Sequence, residues 1–506
     1  MSFLRDLPVL ILGLGESGLA MARWCARCGA NVSVWDSRET PPNAAAMASE
    51  LPAIQLLGGE LGVERLTGVQ LILKSPGLSP QDPRVASFLN EARATGVAIL
   101  GELDLFARAL ADLKESQAYA PQVLAITGTN GKTTTTAMTA LLVERAGKRV
   151  ATAGNIGPTL LDTLSARLDK LPDEPLPQVW VLELSSFQLD SVRGFEPTAA
   201  AVLNISQDHL DWHGTMAAYT AAKARVFGQH AWMVVNRDDE RVEALVPAPV
   251  VVKGKLKLTD RPIVRFGLDA PRSAGDFGLI VENGMAWLVR AMPADDTFKL
   301  KKGEAAEVHL QHLMPADALR VRGRHNAANA LAALALASAI GCSLAPMLHG
   351  LREYAGEPHR GQPVGRVGDV EAFDDSKGTN VGATVAALVG LGADIAPAKL
   401  VIILGGDGKG QDFSPLTAPL AAHARAVATI GRDAALIEAV IDGLPVQRHE
   451  TLQSAVAWCF AQAQPGDAVL LSPACASLDM FRNYAHRAEV FVQAVQALAM
   501  DKGGLS

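Results

Sequence analysis

Over the first hundred residues short apolar runs alternate with amphipathic stretches: PVLILG is followed by GLAMARWCARCG, then NVSVWD, and later VQLILKSPG and GVAILG. Such alternation predicts parallel strands joined by crossover helices, a doubly wound sheet. The pattern restarts at QVLAITGTNGKTT, where an apolar strand meets a glycine loop and then a helix, TTAMTALLVERAG. Further strands follow at VWVLELS, AAAVLNIS and HAWMVVN. From about Val251 to Arg322 the period shifts to short alternating strands, with ENG as a hairpin turn and a Lys/Glu-rich, exposed segment from Lys299 to Glu307. The Ala-rich run Ala327 to Ile340 is too short, and too interrupted by Asn329 and Ser338, to cross a bilayer, and predicts a buried helix. GEPHRGQP then punctuates the chain and sets a boundary near Gly356. Beyond it a third unit has strands at VEAFDDS, KLVIILGG, AVATIG and DAVLLSP, separated by helical patterns at TVAALVGLG and LQSAVAWCFAQA. The expectation is an α/β protein of three domains, 1–101, 102–356 and 357–506.

A chain of 506 residues, 49% hydrophobic and 20% charged, is too long for one core and apolar enough to build two or three. Its net charge of −7 and pI near 5.9 argue against nucleic-acid or anionic-membrane surfaces, which need clustered Lys and Arg. Five scattered cysteines fit a reducing compartment, and the N-terminal apolar stretch runs into a glycine loop instead of a cleavage site, so a cytoplasmic location is expected. Cys25 and Cys28 form a CxxC inside a predicted helix, with no second pair and no nearby His. Helix packing is the plainer reading, against a redox or metal role.

Two glycine loops carry the chemistry. Gly13, Gly15 and Gly18 lie between a strand and a helix, with Asp36 at the end of the next strand, as in a Rossmann turn that lets backbone approach a pyrophosphate. NAD and a dehydrogenase are one reading, another diphosphate a second, and a ligand-free tight turn a third. The second loop runs Gly128, Thr129, Asn130, Gly131, Lys132, Thr133, Thr134. Lys132 is placed to reach the β- and γ-phosphates of ATP and the Thr133 hydroxyl to ligate Mg²⁺, although the loop is shorter than a strict Walker A. Elsewhere the residues leave alternatives open. Glu183 reads as a buried acid or a metal ligand, His209 as a capping histidine or a ligand, Lys223 as an ordinary helix lysine, and Lys409 as a loop lysine or an anion clamp.

GTNGKTT resembles the ATP loop of the Mur ligase family, which also includes folylpolyglutamate synthetases. The resemblance continues in order through SPG (Ser75 to Gly77), GNIG (Gly154 to Gly157), LELSSFQL (Leu182 to Leu189), QDHLDWH (Gln207 to His213) and AAKARVF (Ala221 to Phe227). It extends through RHNAANALAA (Arg324 to Ala333), PHR (Pro358 to Arg360), DDSKGTN (Asp374 to Asn380), GGDGKG (Gly405 to Gly410) and SPACASLDMFRNY (Ser472 to Tyr484). It implies an N-terminal Rossmann-like nucleotide-sugar domain, a central P-loop ATPase-like domain and a C-terminal Rossmann-like domain. The implied activity is ATP-dependent amide-bond formation through an acyl phosphate. DDSKGTN and SPACASLDMFRNY favour D-glutamate added to UDP-N-acetylmuramoyl-L-alanine, and no DNPR-type diamino-acid motif is present. Another amide ligase of the same family is the nearest alternative.

The resemblance also implies roles. Lys132, His209, Lys223 and Arg360 are the catalytic set. ATP is assigned the loop Gly128 to Thr134 with Asn329, Arg360 and Asp375. Gly15, Glu16, Ser17, Ser37, Arg38 and Gly77 fall to the uridine diphosphate, and Asn155 to the muramoyl-alanine part. Thr379, Lys409, Ser477, Leu478 and Tyr484 fall to D-glutamate. Two Mg²⁺ ions are implied, held by Thr133, Glu183, His209 and Lys223, the last as a carbamate formed with CO₂, which requires a neutral amine. A monomer acting on small molecules is expected, with no nucleic acid and no membrane insertion. Cys475 is set aside as a nucleophile, since no His is motif-linked to it and an acyl-phosphate route needs no covalent enzyme intermediate. Glu16 departs from the pattern, because an acid beside a pyrophosphate is unfavourable unless it faces uracil or solvent. GQPVGRV after PHR lacks an expected acid, and the stretch from Trp287 to Arg320 is longer than usual. Three domains each supplying a substrate site imply closure about a hinge near Gly356, which shields an acyl phosphate from water.

Overall fold

A computed structural model describes residues 2–248, 250–252, 255–257, 261–294 and 307–501, and most of the predicted exposed segment from Lys299 to Glu307 lies outside them. Apolar runs bounded by glycine turns become strands of three main sheets. The first is fully parallel in the order β3-β2-β1-β4-β5, with β1 (Pro8–Leu12), β2 (Asn31–Trp35), β3 (Gln55–Leu57), β4 (Leu71–Lys74) and β5 (Ala98–Leu100). The order reverses between β1 and β4, so the loops leaving these strands face one crevice, the usual ligand position in an open α/β sheet. There Ser75 Oγ donates to the Gly13 carbonyl at 2.9 Å. A Cβ on Gly18 would lie 2.0 Å from that same oxygen, so helix Glu16–Arg27 can start this close to the turn only with glycine at this position.

The second sheet has nine strands in the order β16-β15-β14-β13-β10-β9-β6-β8-β7. These are β6 (Gln122–Thr127), β7 (Val150–Gly154), β8 (Val179–Glu183), β9 (Ala199–Val202), β10 (Trp232–Asn236), β13 (Ile263–Phe266), β14 (Phe277–Glu282), β15 (Met285–Pro293) and β16 (Val308–Pro315). β11 (Val250–Val252) and β12 (Lys255–Lys257) form a separate antiparallel pair. Pairing is parallel from β7 to β14 and antiparallel from β14 to β16, with Asn283 and Gly284 turning the ENG hairpin. Helix Arg324–Ala339 carries the Ala-rich run. Its residues from Ala330 to Ala337 are fully buried beside helix Lys132–Arg145, the small side chains allowing close approach without loss of helix propensity.

The third sheet runs β17-β18-β22-β19-β20-β21, from β17 (Gln362–Val367), β18 (Val370–Asp374), β19 (Leu400–Gly405), β20 (Ala424–Ile430), β21 (Val446–Arg448) and β22 (Ala468–Leu471). It is parallel except for the edge pair β17 and β18. β17 follows from no apolar run: GQPVGRV is mostly polar or glycine and its burial is slight. Among the described residues no helix is long and apolar enough to cross a membrane.

The seams between domains differ. Helix Glu16–Arg27 is tied to helix Leu160–Leu168 and its end by Arg23 to Asp162 at 3.0 Å and Arg27 to Asp169 at 2.5 Å. Buried Glu102 accepts the Leu161 amide at 3.0 Å, and burial pushes its carboxyl up to about 7. Cys25 is buried in helix Glu16–Arg27, whereas Cys28 is the cap after its last turn and not an interior position, because Gly29 at positive φ ends the helix there. Burial drives the Cys25 thiol up to about 12, which suits packing and not redox work.

Candidate active site

Strand β6 delivers the loop Gly128 to Gly131, and Gly131 (φ 80°) precedes helix Lys132–Arg145. A Cβ on Gly131 would lie 2.5 Å from Asn329 Oδ1, so glycine lets the Ala-rich helix present Asn329 directly to the loop. Lys132 Nζ donates to the Gly128 and Thr129 carbonyls at 2.9 and 2.8 Å, and burial lowers its pKa. Thr133 Oγ1 donates to Glu183 Oε2 at 2.9 Å, and Asn155 Nδ2 donates to Glu183 Oε1 at 2.9 Å. Glu183 at the end of β8 is 1% exposed, so both carboxylate oxygens are held at the edge of the phosphate loop.

Lys223, in helix Met216–Ala224, points inward: it is 1% exposed and its Nζ donates to the Gly128 carbonyl at 2.7 Å. The pattern-based reading of it as a solvated lysine is therefore wrong, because this face of the helix packs on the loop beneath Tyr219, whose hydroxyl pairs with Thr129 Oγ1 at 3.1 Å. Burial, and then the Lys132 charge, lower the Lys223 pKa far below that of a free lysine. His209 adopts φ 54°, its ring tilted against that of Phe187, and its Nε2 lies 3.5 Å from Asp208. Burial lowers its pKa, and the ring pairs with the Asp208 carboxylate at the rim of the loop.

The third domain reaches the same loop. Arg360 Nη2 donates to Thr133 Oγ1 at 2.6 Å, and the Asn130 and Asn380 amides exchange hydrogen bonds at 3.2 and 3.0 Å. Asp375 accepts from Ser472 Oγ at 2.6 Å, and burial pushes its carboxyl up to about 7. Lys377, in the DDSKGTN segment, adds a cation that no single-residue pattern singles out. Its Nζ stands 3.7 Å from the Tyr484 ring centre, and burial followed by the Arg360 charge lowers it to about 8. Thr379 and buried Ser477 lie on the loops around it, whereas Lys409 (φ 52°) and Leu478 are exposed, with the Lys409 amide donating to Asp407.

Arg487 ties these loops together. It is fully buried, donating to Ser376 Oγ at 3.0 Å, the Ser376 carbonyl at 2.8 Å and the Cys475 carbonyl at 3.1 Å, while burial lowers it to about 10. Nothing short of the fold shows this, since Arg487 sits in an unremarkable helical pattern. Arg487→Met is expected to lower stability by about 3 kcal/mol, by orphaning two carbonyls, and to raise the KM for the amino acid. Urea unfolding and initial rates read the two effects. Cys475 is buried, with its thiol pushed up to about 12 by burial, which removes the nucleophile reading on structural grounds as well.

At the N-terminal crevice Asp36 is already engaged. Its carboxylate accepts the Leu14 amide at 2.7 Å and two Arg38 guanidinium bonds at 2.9 and 2.7 Å. Burial pushes the group up, but these bonds outweigh it and hold it at about 2. An acid so occupied has little capacity left for a ribose diol, which counts against the dinucleotide reading of the first loop. Glu16 is exposed and accepts from Asn43 Nδ2 at 3.4 Å, an amide that also reaches the Leu14 carbonyl of the turn at 3.5 Å. Ser17 bonds Glu102. Ser37 accepts from Arg84 at 3.0 Å on the rim of a cavity of about 440 Å³ floored by Trp35, Leu61 and Phe88. Gly15 and Gly77 are open to solvent on the side a Cβ would take, leaving backbone accessible in the crevice.

Among the described residues no three His, Cys, Asp or Glu side chains converge as a metal cage. Thr133 Oγ1 and Glu183 Oε2 are nevertheless adjacent hard oxygen donors, of the kind Mg²⁺ accepts when phosphate oxygens complete its shell.

Family profiles match the chain in three successive segments: Mur ligase MurD-like, N-terminal domain over 8–101, Mur ligase middle domain over 126–337, and Mur ligase, glutamate ligase domain over 359–475. The chain is 60% identical to a UDP-N-acetylmuramoylalanine–D-glutamate ligase of Albidiferax ferrireducens, covering 99% of this chain and 98% of that one. It is 56% identical to a protein of the same name from Burkholderia multivorans, covering 98% of each. Among solved structures, the MurF ligase of Thermotoga maritima in complex with ADP matches with a TM-score of 0.57 at 16% identity, over 99% of this chain and 96% of that one, a likeness of fold alone.

Proposed function

The chain belongs to the Mur ligase family, and from that membership together with the site we infer that it joins D-glutamate to UDP-N-acetylmuramoyl-L-alanine, consuming ATP and releasing ADP and phosphate. It is an amide-bond-forming ligase of peptidoglycan precursor synthesis. The observation that carries the reading is the meeting, around one short phosphate loop, of Lys132, Glu183 and Lys223 from the central domain with Arg360 from the third.

The uridine diphosphate lies over Gly15, Glu16, Ser17, Ser37, Arg38 and Gly77, with the uracil beside the cavity rimmed by Ser37 and Arg84. This directs the alanyl carboxylate past Asn155 toward the loop. ATP lies along Gly128 to Thr134, with Asn329, Arg360 and Asp375 at its other end, and D-glutamate meets Thr379, Lys377, Lys409, Ser477, Leu478 and Tyr484. An alanyl carboxylate oxygen attacks the γ-phosphorus, the bond to the bridging oxygen breaks, and ADP leaves. The neutral amine of D-glutamate then attacks the acyl carbon, phosphate departs with the electron pair of the broken C–O bond, and the proton lost from nitrogen passes to the departing phosphate or to water. Lys132 and Arg360 balance charge on the transferring phosphoryl oxygens, fixed donors in a site that closure dries. Thr133, Glu183, His209 and Lys223 as a carbamate would hold Mg²⁺, which when bound supplies charge neutralisation between two anions. Two ions, the carbamate, a monomeric state and a cytoplasmic location complete the proposal.

Phosphate release is the direct test. With UDP-N-acetylmuramoyl-L-alanine, ATP and magnesium, D-glutamate is expected to drive stoichiometric release and L-glutamate none above background. A purified, folded protein that consumes no nucleotide with the full D-glutamate mixture overturns the reading.

A further inference from the structure

Two contacts at opposite ends of helix Val381–Asp394 set the third domain against the central one. One is the Asn130 and Asn380 pair at the phosphate loop. The other touches no assigned site residue. His325, in the first turn of helix Arg324–Ala339, lies against Gly323 and Gly390 where their backbones meet, its ring taking the space a Cβ on either glycine would need. A Cβ on Gly390 would lie 2.8 Å from His325 Nδ1 and 3.1 Å from Cε1, and one on Gly323 would lie 2.6 Å from Cε1. The ring faces the Ala386 backbone of the third domain, while its Nδ1 is buried without a partner. The Asp394 carboxylate faces the Gly323 backbone across the same seam.

A buried nitrogen without a partner is a cost that an apolar side chain of similar size avoids, so packing alone does not explain a histidine here. What the imidazole adds is a polar interaction with third-domain backbone at Ala386, from a flat ring that packs closely against two touching glycines. Burial lowers its pKa to about 4, so the ring packs there neutral. A cavity of about 410 Å³, lined by Arg324, Asp269 and Val389 among others, opens directly beside it and gives the ring somewhere to go when the domains part.

We propose that His325 is a positioning residue for the ligation: seated against the contact of Gly323 with Gly390, its ring fixes how the third domain docks, and through that docking the reach of Arg360 and Asp375 to the phosphate loop. The proposal rests on the function inferred above, and its test is arranged to fail separately. In the full chain Gly390→Ala puts a methyl group where the ring lies, and His325→Ala removes the ring. Overpacking at this joint is expected to lower kcat/KM for D-glutamate about thirtyfold in Gly390→Ala and about threefold in His325→Ala, with the double variant less impaired than Gly390→Ala alone, since the clash with the ring is gone and only a 3.2 Å approach to the Gly323 Cα remains. The KM for UDP-N-acetylmuramoyl-L-alanine, bound on the first domain, should move by less than about twofold in all three. An effect through general destabilisation would shift both KM values together with the melting temperature and would not be relieved by the second substitution. Gly390→Ala within twofold of wild type, or a double variant falling to the product of the singles, overturns the proposal.

Small-angle scattering with ADP and magnesium gives a readout independent of turnover, and one that remains if Gly390→Ala does not fold. His325→Ala is expected to be more extended than wild type, and identical curves overturn the docking role. An inactive wild type would sink the functional reading while leaving this comparison intact.

Discussion

Lys132→Ala is expected to lower turnover by roughly a thousandfold while the protein remains folded. The ammonium is held by two loop carbonyls, 2.9 and 2.8 Å away, so it is already posed where a triphosphate crosses the start of helix Lys132–Arg145. The side chain is only partly buried, yet its surroundings lower its pKa, so its charge costs the fold unless it is used. Truncation removes no ion pair, and water can reach the two loop carbonyls it leaves, unlike those around fully buried Arg487, so the melting temperature should change little. Lys132→Arg should fare almost as badly. A planar fork cannot reproduce a point charge seated between two adjacent carbonyls, and the glycine loop has no room to widen around it. Phosphate release under saturating substrates reads the loss, and thermal unfolding shows whether the fold is kept. Turnover within tenfold of wild type would mean that the triphosphate lies elsewhere.

The parts of this molecule that sequence makes legible are those whose signal is local. β1, β6 and β19 are apolar runs ending in glycine turns, and the Ala-rich run could only be a buried helix. The phosphate loop names its own chemistry because Gly128 to Thr134 are contiguous. What escapes is whatever depends on residues far apart. Asn130 and Asn380 recognise each other across 250 positions, and nothing in either segment points to the other. Arg487 pins two loops by their carbonyls, yet in sequence it is one more arginine near a helix start. β17 forms because β18 offers an edge to pair with, not because GQPVGRV favours a strand. Lys223 is the sharpest case. Helical periodicity places it among solvated residues, and only the family resemblance marks it, whereas in the fold the side chain is buried against the loop backbone.

That burial leads to the second large expected effect, loss of activity on removing either the Lys223 amine or the CO₂ with which we propose it combines. Only a neutral amine attacks CO₂. A free lysine is almost wholly protonated near neutral pH, but burial and the neighbouring Lys132 lower the Lys223 pKa well below that of a free lysine. The sign follows directly: a lowered folded-state pKa enlarges the neutral fraction at a given pH, and that fraction grows further as pH rises. Carbamylation would turn a cation crowded by Lys132 into an anion facing it, so the modification would relieve repulsion and add oxygen donors where Nζ now meets the Gly128 carbonyl. Lys223→Ala is expected to lower turnover by at least about a hundredfold, and Lys223→Arg, which keeps a charge but forms no stable carbamate, by a similar amount. Wild-type enzyme stripped of CO₂ should lose activity and regain it on adding bicarbonate, with the recovered fraction higher at alkaline pH. Carbon-13 bicarbonate should give one carbamate resonance in the wild type and none in either variant. Full activity in rigorously CO₂-free buffer, or no such resonance in active enzyme, would leave Lys223 as a loop-bracing amine and remove the carbamate from the site.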